Sequence, residues 1–208
     1  IDIGKITDVT DFSALVSTID DDVDFVYLPW QVAANGQILA NQMAEWDIHW
    51  FEEPVPPEDI EGYLEVKRNT SLLIAGGECE YTRYGFRQWI ARRAVDILQP
   101  DLCHAGGITE ARIIAGMAEA WYASIAPHNP LGPISLAAGV QLAASIPNFL
   151  CQEQVSLGEG YLKQPFVVKE GYLELPRGPG LGVELDEGAL ADKIGHDWTN
   201  KEEYDAFD

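Results

Sequence analysis

Five polar side chains follow short apolar runs at nearly even intervals along the chain: Glu52, Glu78, Asp101, His128 and Glu153. Subtraction of residue numbers gives spacings of 26, 23, 27 and 25 residues. A strand–helix unit of a (β/α)8 barrel takes roughly 25 to 31 residues, which matches these intervals. Catalytic residues of such barrels lie at the carboxyl ends of several strands. The spacing therefore predicts that the five side chains meet at this end of the barrel, which we call the rim.

Two of these side chains, Glu52 and Glu78, are carboxylates at the ends of neighbouring predicted strands. They can offer hard oxygen ligands to one cation, which is the coordination that Mg2+ prefers together with waters and substrate oxygens. The alternative is a rim of solvated acids. Because an acid directly after a buried strand is costly to leave unpaired, the pattern favours an Mg2+ site.

The next two polar ends, Asp101 and His128, suggest acid–base chemistry. Adjacent strand ends lie about 5 Å apart, within reach of an Asp–His hydrogen bond that would fix the imidazole tautomer. This pairing predicts His128 as a general acid or base. Glu153 could donate a hydrogen bond if neighbouring carboxylates keep it protonated. Of the other histidines, His104 is close enough to the rim to contact a substrate, whereas His49 and His196 are expected to be structural.

The elements that must carry these residues form an α/β fold, a (β/α) TIM-type barrel. The patterns predict a strand over 23–28 and helices over 38–46, 57–68, 82–94 (capped by Thr82), 109–122 (with Trp121 on its buried stripe) and 134–145. At most six strand–helix units can be counted, so the barrel is predicted to be incomplete. We expect residues 1–156 to form it, with residues 1–46 divergent, and residues 157–208 to add a hairpin around 169–171 and an acidic tail packed on the barrel.

The composition excludes several kinds of partner. The 208 residues carry 34 acids against 13 bases, a net charge of -21, which disfavours binding to nucleic acid or an anionic membrane. Such an excess suits either an ordinary acidic enzyme or a protein that works at high salt. No apolar run could span a bilayer and no signal peptide opens the chain, which favours a cytoplasmic protein. The three cysteines, Cys79, Cys103 and Cys151, are predicted to be reduced and buried.

Several motifs together resemble the mandelate racemase branch of the enolase superfamily, and within it sugar-acid dehydratases of the D-galactonate and D-arabinonate type. They are W-F-E-E-P-V-P-P-E-D, A-G-G-E, D-I-L-Q-P-D-L-C-H-A-G-G-I-T-E-A-R, A-P-H-N-P-L-G-P-I and I-P-N-F-L-C-Q-E, between residues 47 and 187. The resemblance implies Glu52 and Glu78 as Mg2+ ligands, Asp101–His128 as a catalytic dyad and Glu153 as a hydrogen-bond partner of an enediolate. Glu53 and His104 are candidates for contacts with a sugar acid.

The sequence also departs from that family. Its third metal ligand, an aspartate about 26 residues before Glu52, is replaced by Val26. Asp24 is a candidate substitute, 28 residues before Glu52, and Ala33 stands in the aspartate's place in a V-A-A-N-G run. We expect the chain to lack counterparts of the family's lysine pair and N-terminal capping domain. With two secure carboxylates in place of three, we expect weak Mg2+ binding.

Three functions remain open at this point. The first is a Mg2+-dependent dehydratase that converts an aldonic acid into a 2-keto-3-deoxy acid. The second is a racemase or epimerase that uses the same enediolate but returns the proton to the same carbon. The third is a non-catalytic barrel that acts as a scaffold or assembly subunit. Because an open sheet exposes edges that need covering, we expect a homo-oligomer.

Overall fold

The computed structural model describes residues 37–41, 48–191 and 193. The predicted strand over 23–28, Asp24, Ala33 and His196 lie outside these residues. Residues 37–41 are helical, which agrees with the first half of the helix predicted over 38–46.

Four parallel strands form the sheet that carries the rim. In chain order they are β1 (Trp50–Glu52), β2 (Leu73–Gly76), β3 (Ile97–Leu98) and β4 (Ser124–Ile125). Each strand pairs with the next one along the chain, so the spatial order is β1-β2-β3-β4. Phe149 continues the series through a parallel bridge to Ile125. An order without reversal is that of a barrel, whereas a doubly wound sheet reverses at a switch point.

Helices follow the strands along the chain, and the long ones between the parallel strands pack on one face of the sheet. They are α1 (Ile60–Arg68), α2 (Thr82–Arg92), α3 (Leu102–Ala105), α4 (Gly107–Glu119), α5 (Pro133–Ala143) and α6 (Glu187–Ala191). The predicted hairpin is present as antiparallel strands β5 (Val168–Lys169) and β6 (Tyr172–Leu173). Among the described residues, no helix combines the length and the apolar character needed to cross a bilayer.

Helices α4 and α5 begin within two residues of the prediction, at Gly107 and Pro133, and the starts of α1 and α2 show how capping sets the boundary. Helix α1 begins at Ile60 and not at residue 57, because the Asp59 side chain accepts the Gly62 N–H at 2.9 Å and so caps the helix there. The prediction of Thr82 as the cap of α2 was wrong by one residue. Tyr81 is the N-cap, with extended backbone and no side-chain capping bond, and Thr82 is already helical.

Helix α4 confirms most of its predicted buried stripe. Ala111, Ile114, Ala115 and Ala118 are fully buried at the spacing expected of one helix face. Trp121 was wrongly included, because the helix ends at Glu119 and the indole is 42% exposed. It packs instead below the guanidinium of Arg93, 5.3 Å from the ring centroid.

Helix α5 is apolar on two sides. Leu136, Ala137 and Val140 pack against Leu162 and Phe166 of the segment that follows the barrel strands. On another side, Leu142 contacts Leu102 and Ala111 of the preceding helices. The helix therefore lies between the sheet-covering helices and the C-terminal segment.

The cysteines are free, as predicted, but their burial was mostly predicted wrongly. Cys79 and Cys103 are exposed and Cys151 is half-buried. The reason is their position: Cys79 lies in the loop after β2 and Cys103 in the short helix after β3, so both stand on the rim and not in the core.

Candidate active site

The strand ends bring four of the five predicted residues to one edge of the sheet. Glu52 is the last residue of β1, and Glu78 follows the end of β2 by two residues. Asp101 and His128 each follow their strands by three residues. Because the carboxyl ends of parallel strands share an edge, these side chains converge on it.

The predicted hydrogen bond between Asp101 and His128 is present. Asp101 Oδ2 lies 3.0 Å from His128 Nδ1, and the aspartate is only 5% exposed. Its other oxygen, Oδ1, accepts the Cys103 N–H at 2.8 Å as the N-cap of α3. Since a charged Asp101 can only accept, the proton of a neutral imidazole lies on Nδ1, and Nε2 is the basic nitrogen.

The second ring nitrogen of His128 faces Glu78, with Nε2 3.3 Å from Oε2. Burial raises the pKa of Glu78, the nearby His128 lowers it, and the negative charges of Glu52, Glu153 and Asp101 raise it further. The rim is therefore a place where several carboxylates destabilise one another's charged forms.

Glu52 is held by two donors that approach the same oxygen. Gln99 Nε2 donates to Glu52 Oε2 at 2.6 Å, and Trp50 Nε1 donates to it at 2.9 Å. Gln99 follows β3 directly and is 4% exposed. Sequence reasoning missed Gln99, although it stands in the D-I-L-Q-P-D motif between a buried strand and Asp101.

These groups fit a divalent cation in part. Carboxylates crowded on a half-buried rim, with the pKa of Glu78 raised, are the environment that a bound Mg2+ would relieve. Glu52 and Glu78 would hold it. Within the described ranges, no three of the His, Cys, Asp and Glu side chains form a group that could hold a metal ion. Asp24, the candidate third ligand, and Ala33, which stands in the place of the family's aspartate, are outside those ranges.

Glu153 reaches the edge from the segment after Phe149. Its Oε2 accepts the backbone N–H of Asn129 at 2.6 Å, and the Asn129 Nδ2 donates to the Glu153 carbonyl at 3.2 Å. Asn129 is buried and directly follows His128. Sequence reasoning missed this asparagine, which links Glu153 to the loop that carries the histidine.

The second acid of the E-E-P run, Glu53, is bound to the neighbouring strand. Its Oε1 accepts the Gly77 N–H at 3.0 Å. Burial raises the pKa of Glu53 to about 7, while the Gly77 amide opposes the shift and the charge of Glu78 adds to it. One carboxylate oxygen is thus engaged by the protein itself, which favours a positioning role over the expected contact with substrate.

The remaining predicted residues lie at the surface. His104 is exposed and its ring contacts that of Tyr81, with centroids 4.0 Å apart, so its contact with a substrate stays a prediction. His49 is exposed and packs edge-on against Trp50. A cavity of about 750 Å3 lies elsewhere, between Lys163 and Glu184 of the C-terminal segment, and includes none of the rim residues.

The fold and the rim define a class of protein: a TIM-barrel-like domain with an acidic edge and an Asp–His pair. Two relatives are dehydratases. D-Xylonate dehydratase of Haloferax volcanii is 35% identical over 183 residues, which cover 85% of this chain and 44% of that protein. D-Galactonate dehydratase of Ralstonia pickettii is 39% identical over 202 residues, covering 90% of this chain and 52% of the relative.

A solved structure is similar to this chain in both fold and sequence. Mandelate racemase/muconate lactonizing enzyme from a Sulfitobacter species superposes with a TM-score of 0.72 at 39% identity, covering 76% of this chain and 40% of that one. Residues 7–189 match the family described as enolase C-terminal domain-like, and the chain belongs to this family. The resemblance seen in the motifs is thereby confirmed. The chain spans about half the length of the curated relatives it matches.

Proposed function

We propose that this chain forms the catalytic part of a Mg2+-dependent sugar-acid dehydratase, which removes water from an aldonic acid to give a 2-keto-3-deoxy acid. The observation that carries the proposal is the Asp101–His128 hydrogen bond on the same rim as Glu52 and Glu78. The two dehydratase relatives support the reaction class.

Glu52 and Glu78 would hold the metal, with Asp24 as a further candidate. Bound there, Mg2+ would stabilise the negative charge that develops on the substrate carboxylate when a base takes up the proton from C2. Gln99 and Trp50 restrain Glu52, so the carboxylate is oriented before any ligand arrives.

His128 is the group that we assign to the leaving hydroxyl. Protonated at Nε2, it donates this proton to the 3-hydroxyl, which departs as water when the C3–O bond breaks. Asp101 keeps Nδ1 protonated and stabilises the charged imidazolium. Glu153, whose Oε2 accepts the Asn129 N–H, would hydrogen-bond the enediolate. The resulting enol becomes the 2-keto-3-deoxy product by proton transfer to C3.

The test is turnover of a panel of aldonic acids, including D-galactonate and D-xylonate, with Mg2+ and a carbonyl-trapping reagent. We expect keto product from at least one acid, its loss in His128→Asn, and its retention in His49→Asn, since His49 is exposed. Failure of the complete native protein on every acid would contradict the proposal. Deuterium exchange at C2 with inversion and no keto product would indicate an epimerase instead.

A further inference from the structure

Glu53 forms two hydrogen bonds at the end of strand β2, one through its backbone and one through its side chain. Its N–H donates to the Ala75 carbonyl at 3.1 Å, and its Oε1 accepts the Gly77 N–H at 3.0 Å. The two contacts lie on either side of Gly76, so Glu53 spans the last residue of the strand. Its backbone is in the left-handed region, with φ of 46°, which a glutamate rarely adopts without support from its surroundings.

The carboxyl group has no room to move toward the strand. A Cβ added to Gly76 would lie 2.9 Å from Glu53 Oε1, 3.1 Å from the Tyr63 hydroxyl and 3.2 Å from the Trp89 ring. The Tyr63 and Trp89 rings are themselves packed together, with centroids 4.6 Å apart, and both are buried. The absence of a side chain at Gly76 therefore makes the space that the carboxyl group occupies.

This hydrogen bond links the two residues that stand next to the candidate metal ligands. Glu53 directly follows Glu52, and Gly77 directly precedes Glu78. Gly77 has φ of +116°, and a Cβ on it would meet the Phe86 ring at 2.9 Å, so the turn that presents its N–H to Glu53 favours glycine. A shift of Glu53 would move the turn that carries Glu78 relative to the end of β1.

We infer that Glu53 is a positioning residue that sets the separation of Glu52 and Glu78 and so determines cation affinity at the rim. The inference rests on the proposed Mg2+ site, to which it adds the residue that orders it. The role requires an oxygen acceptor at the position of Oε1. It predicts that glutamine can replace Glu53 and that an apolar residue of similar size cannot.

The test is binding of Mn2+, a paramagnetic substitute for Mg2+, to the full chain, followed by electron paramagnetic resonance at concentrations high enough to register weak binding. We expect Glu53→Gln to keep the parental affinity and Glu53→Leu to weaken it tenfold to hundredfold, the range seen when outer partners of metal ligands are changed. Glu65→Leu, on the exposed side of α1, is the matched control and should bind as the parent does.

Gly76→Ala gives a second route, because the added methyl group would displace the Glu53 carboxyl without altering its chemistry. The parent also offers a readout that needs no variant: the Gly77 amide hydrogen should exchange slowly with solvent, and should lose that protection in Glu53→Leu but not in Glu53→Gln. These measurements remain informative if Glu53→Leu does not fold.

Three results would overturn the inference alone: parental Mn2+ affinity in folded Glu53→Leu or Gly76→Ala, an equal loss in Glu53→Gln and Glu53→Leu, or fast exchange of the Gly77 amide in the parent. Absence of Mn2+ binding by the parent would overturn it together with the metal part of the proposed function. The Glu53 variants could change Mn2+ affinity as expected while the protein dehydrates none of the acids. That result would support the inference and contradict only the proposed dehydratase function.

Discussion

Nε2 of His128 lies 3.3 Å from Oε2 of Glu78, on the side of the ring opposite to Asp101. The candidate acid–base residue is thus in contact with a candidate metal ligand. A change in the charge or orientation of Glu78 will alter the electrostatic environment of the imidazole. This relationship makes the histidine a reporter for the rim as a whole.

Addition of Mg2+ should therefore change the environment of His128 even though the histidine is not an expected ligand. A cation that attracts the Glu78 carboxylate competes with the His128 contact, so the ring proton resonances should shift progressively in an NMR titration. Glu78→Gln should abolish the response, whereas Glu65→Gln on exposed α1 should retain it. Identical titrations in the Glu78→Gln variant and the parent would show that the metal binds elsewhere.

Replacement of Asp101 by asparagine should lower the rate of dehydration by about 10²–10⁴-fold, the usual contribution of a positioned acid–base group. The amide keeps the shape but removes the charge that holds Nδ1 protonated and stabilises the imidazolium. Steady-state kinetics measure the effect. Asp59→Asn is the control, since asparagine caps a helix as well as aspartate does. A parental rate in Asp101→Asn would remove the dyad from the mechanism.

Stability should fall as the pH rises toward neutrality, in part because of Glu53. Burial raises the pKa of Glu53 from 4.5 to about 7 in the folded chain, so between these values the folded state binds more protons than the unfolded state. The contribution is fully present below pH 4.5 and is lost as the pH rises through 7, with a size of roughly 3 kcal/mol.

Urea unfolding at a series of pH values measures this slope. Glu53→Gln cannot titrate and should show a shallower decline than the parent, while Glu65→Gln should follow the parent. The comparison between variants is needed because burial also raises the pKa of Glu78, which contributes with the same sign. Equal slopes in Glu53→Gln and the parent would contradict the buried, proton-binding state of Glu53.

The substitution Ile114→Ala should lower the free energy of unfolding by about 2–5 kcal/mol, the usual cost of removing a large aliphatic side chain from a packed core. Ile114 is 0% exposed on the inner face of α4. Ile134→Ala is the matched control, because Ile134 is 49% exposed and its loss should change the free energy of unfolding by no more than about 0.5 kcal/mol. Similar losses of unfolding free energy in the two variants would contradict the position of Ile114 in the core.

The rim itself was predictable from the sequence. A fixed strand–helix period and the shared edge of parallel strands suffice to bring Glu52, Glu78 and the Asp101–His128 pair together, since the backbone decides where each side chain starts. The partners of these residues were not predictable. Gln99 contacts Glu52 across 47 positions of sequence. Neutral amides such as Gln99 give no charge signal that would single them out before the fold is known.

The errors have similar physical causes. Cys79 and Cys103 were assigned to the core from the preference of their residue type, but their loops follow strand ends and face solvent. Trp121 fits the periodicity of α4, yet the chain turns away when the N–H groups of Trp121 and Ala123 both bond to the Ala118 carbonyl. Tyr122 completes this turn at φ of 62°, a conformation usually marked by glycine, so the sequence held no stop signal.

The position of α5 between two apolar neighbours has a consequence for synthesis of the chain on the ribosome. Leu142 can pack against Leu102 and Ala111 as soon as α5 emerges, because these partners have already been made. The side formed by Leu136, Ala137 and Val140 must wait for Leu162 and Phe166. A nascent chain that has emerged from the ribosome beyond residue 143 but not yet to residue 162 would therefore expose an apolar helix face, and such transiently exposed surface is prone to aggregation.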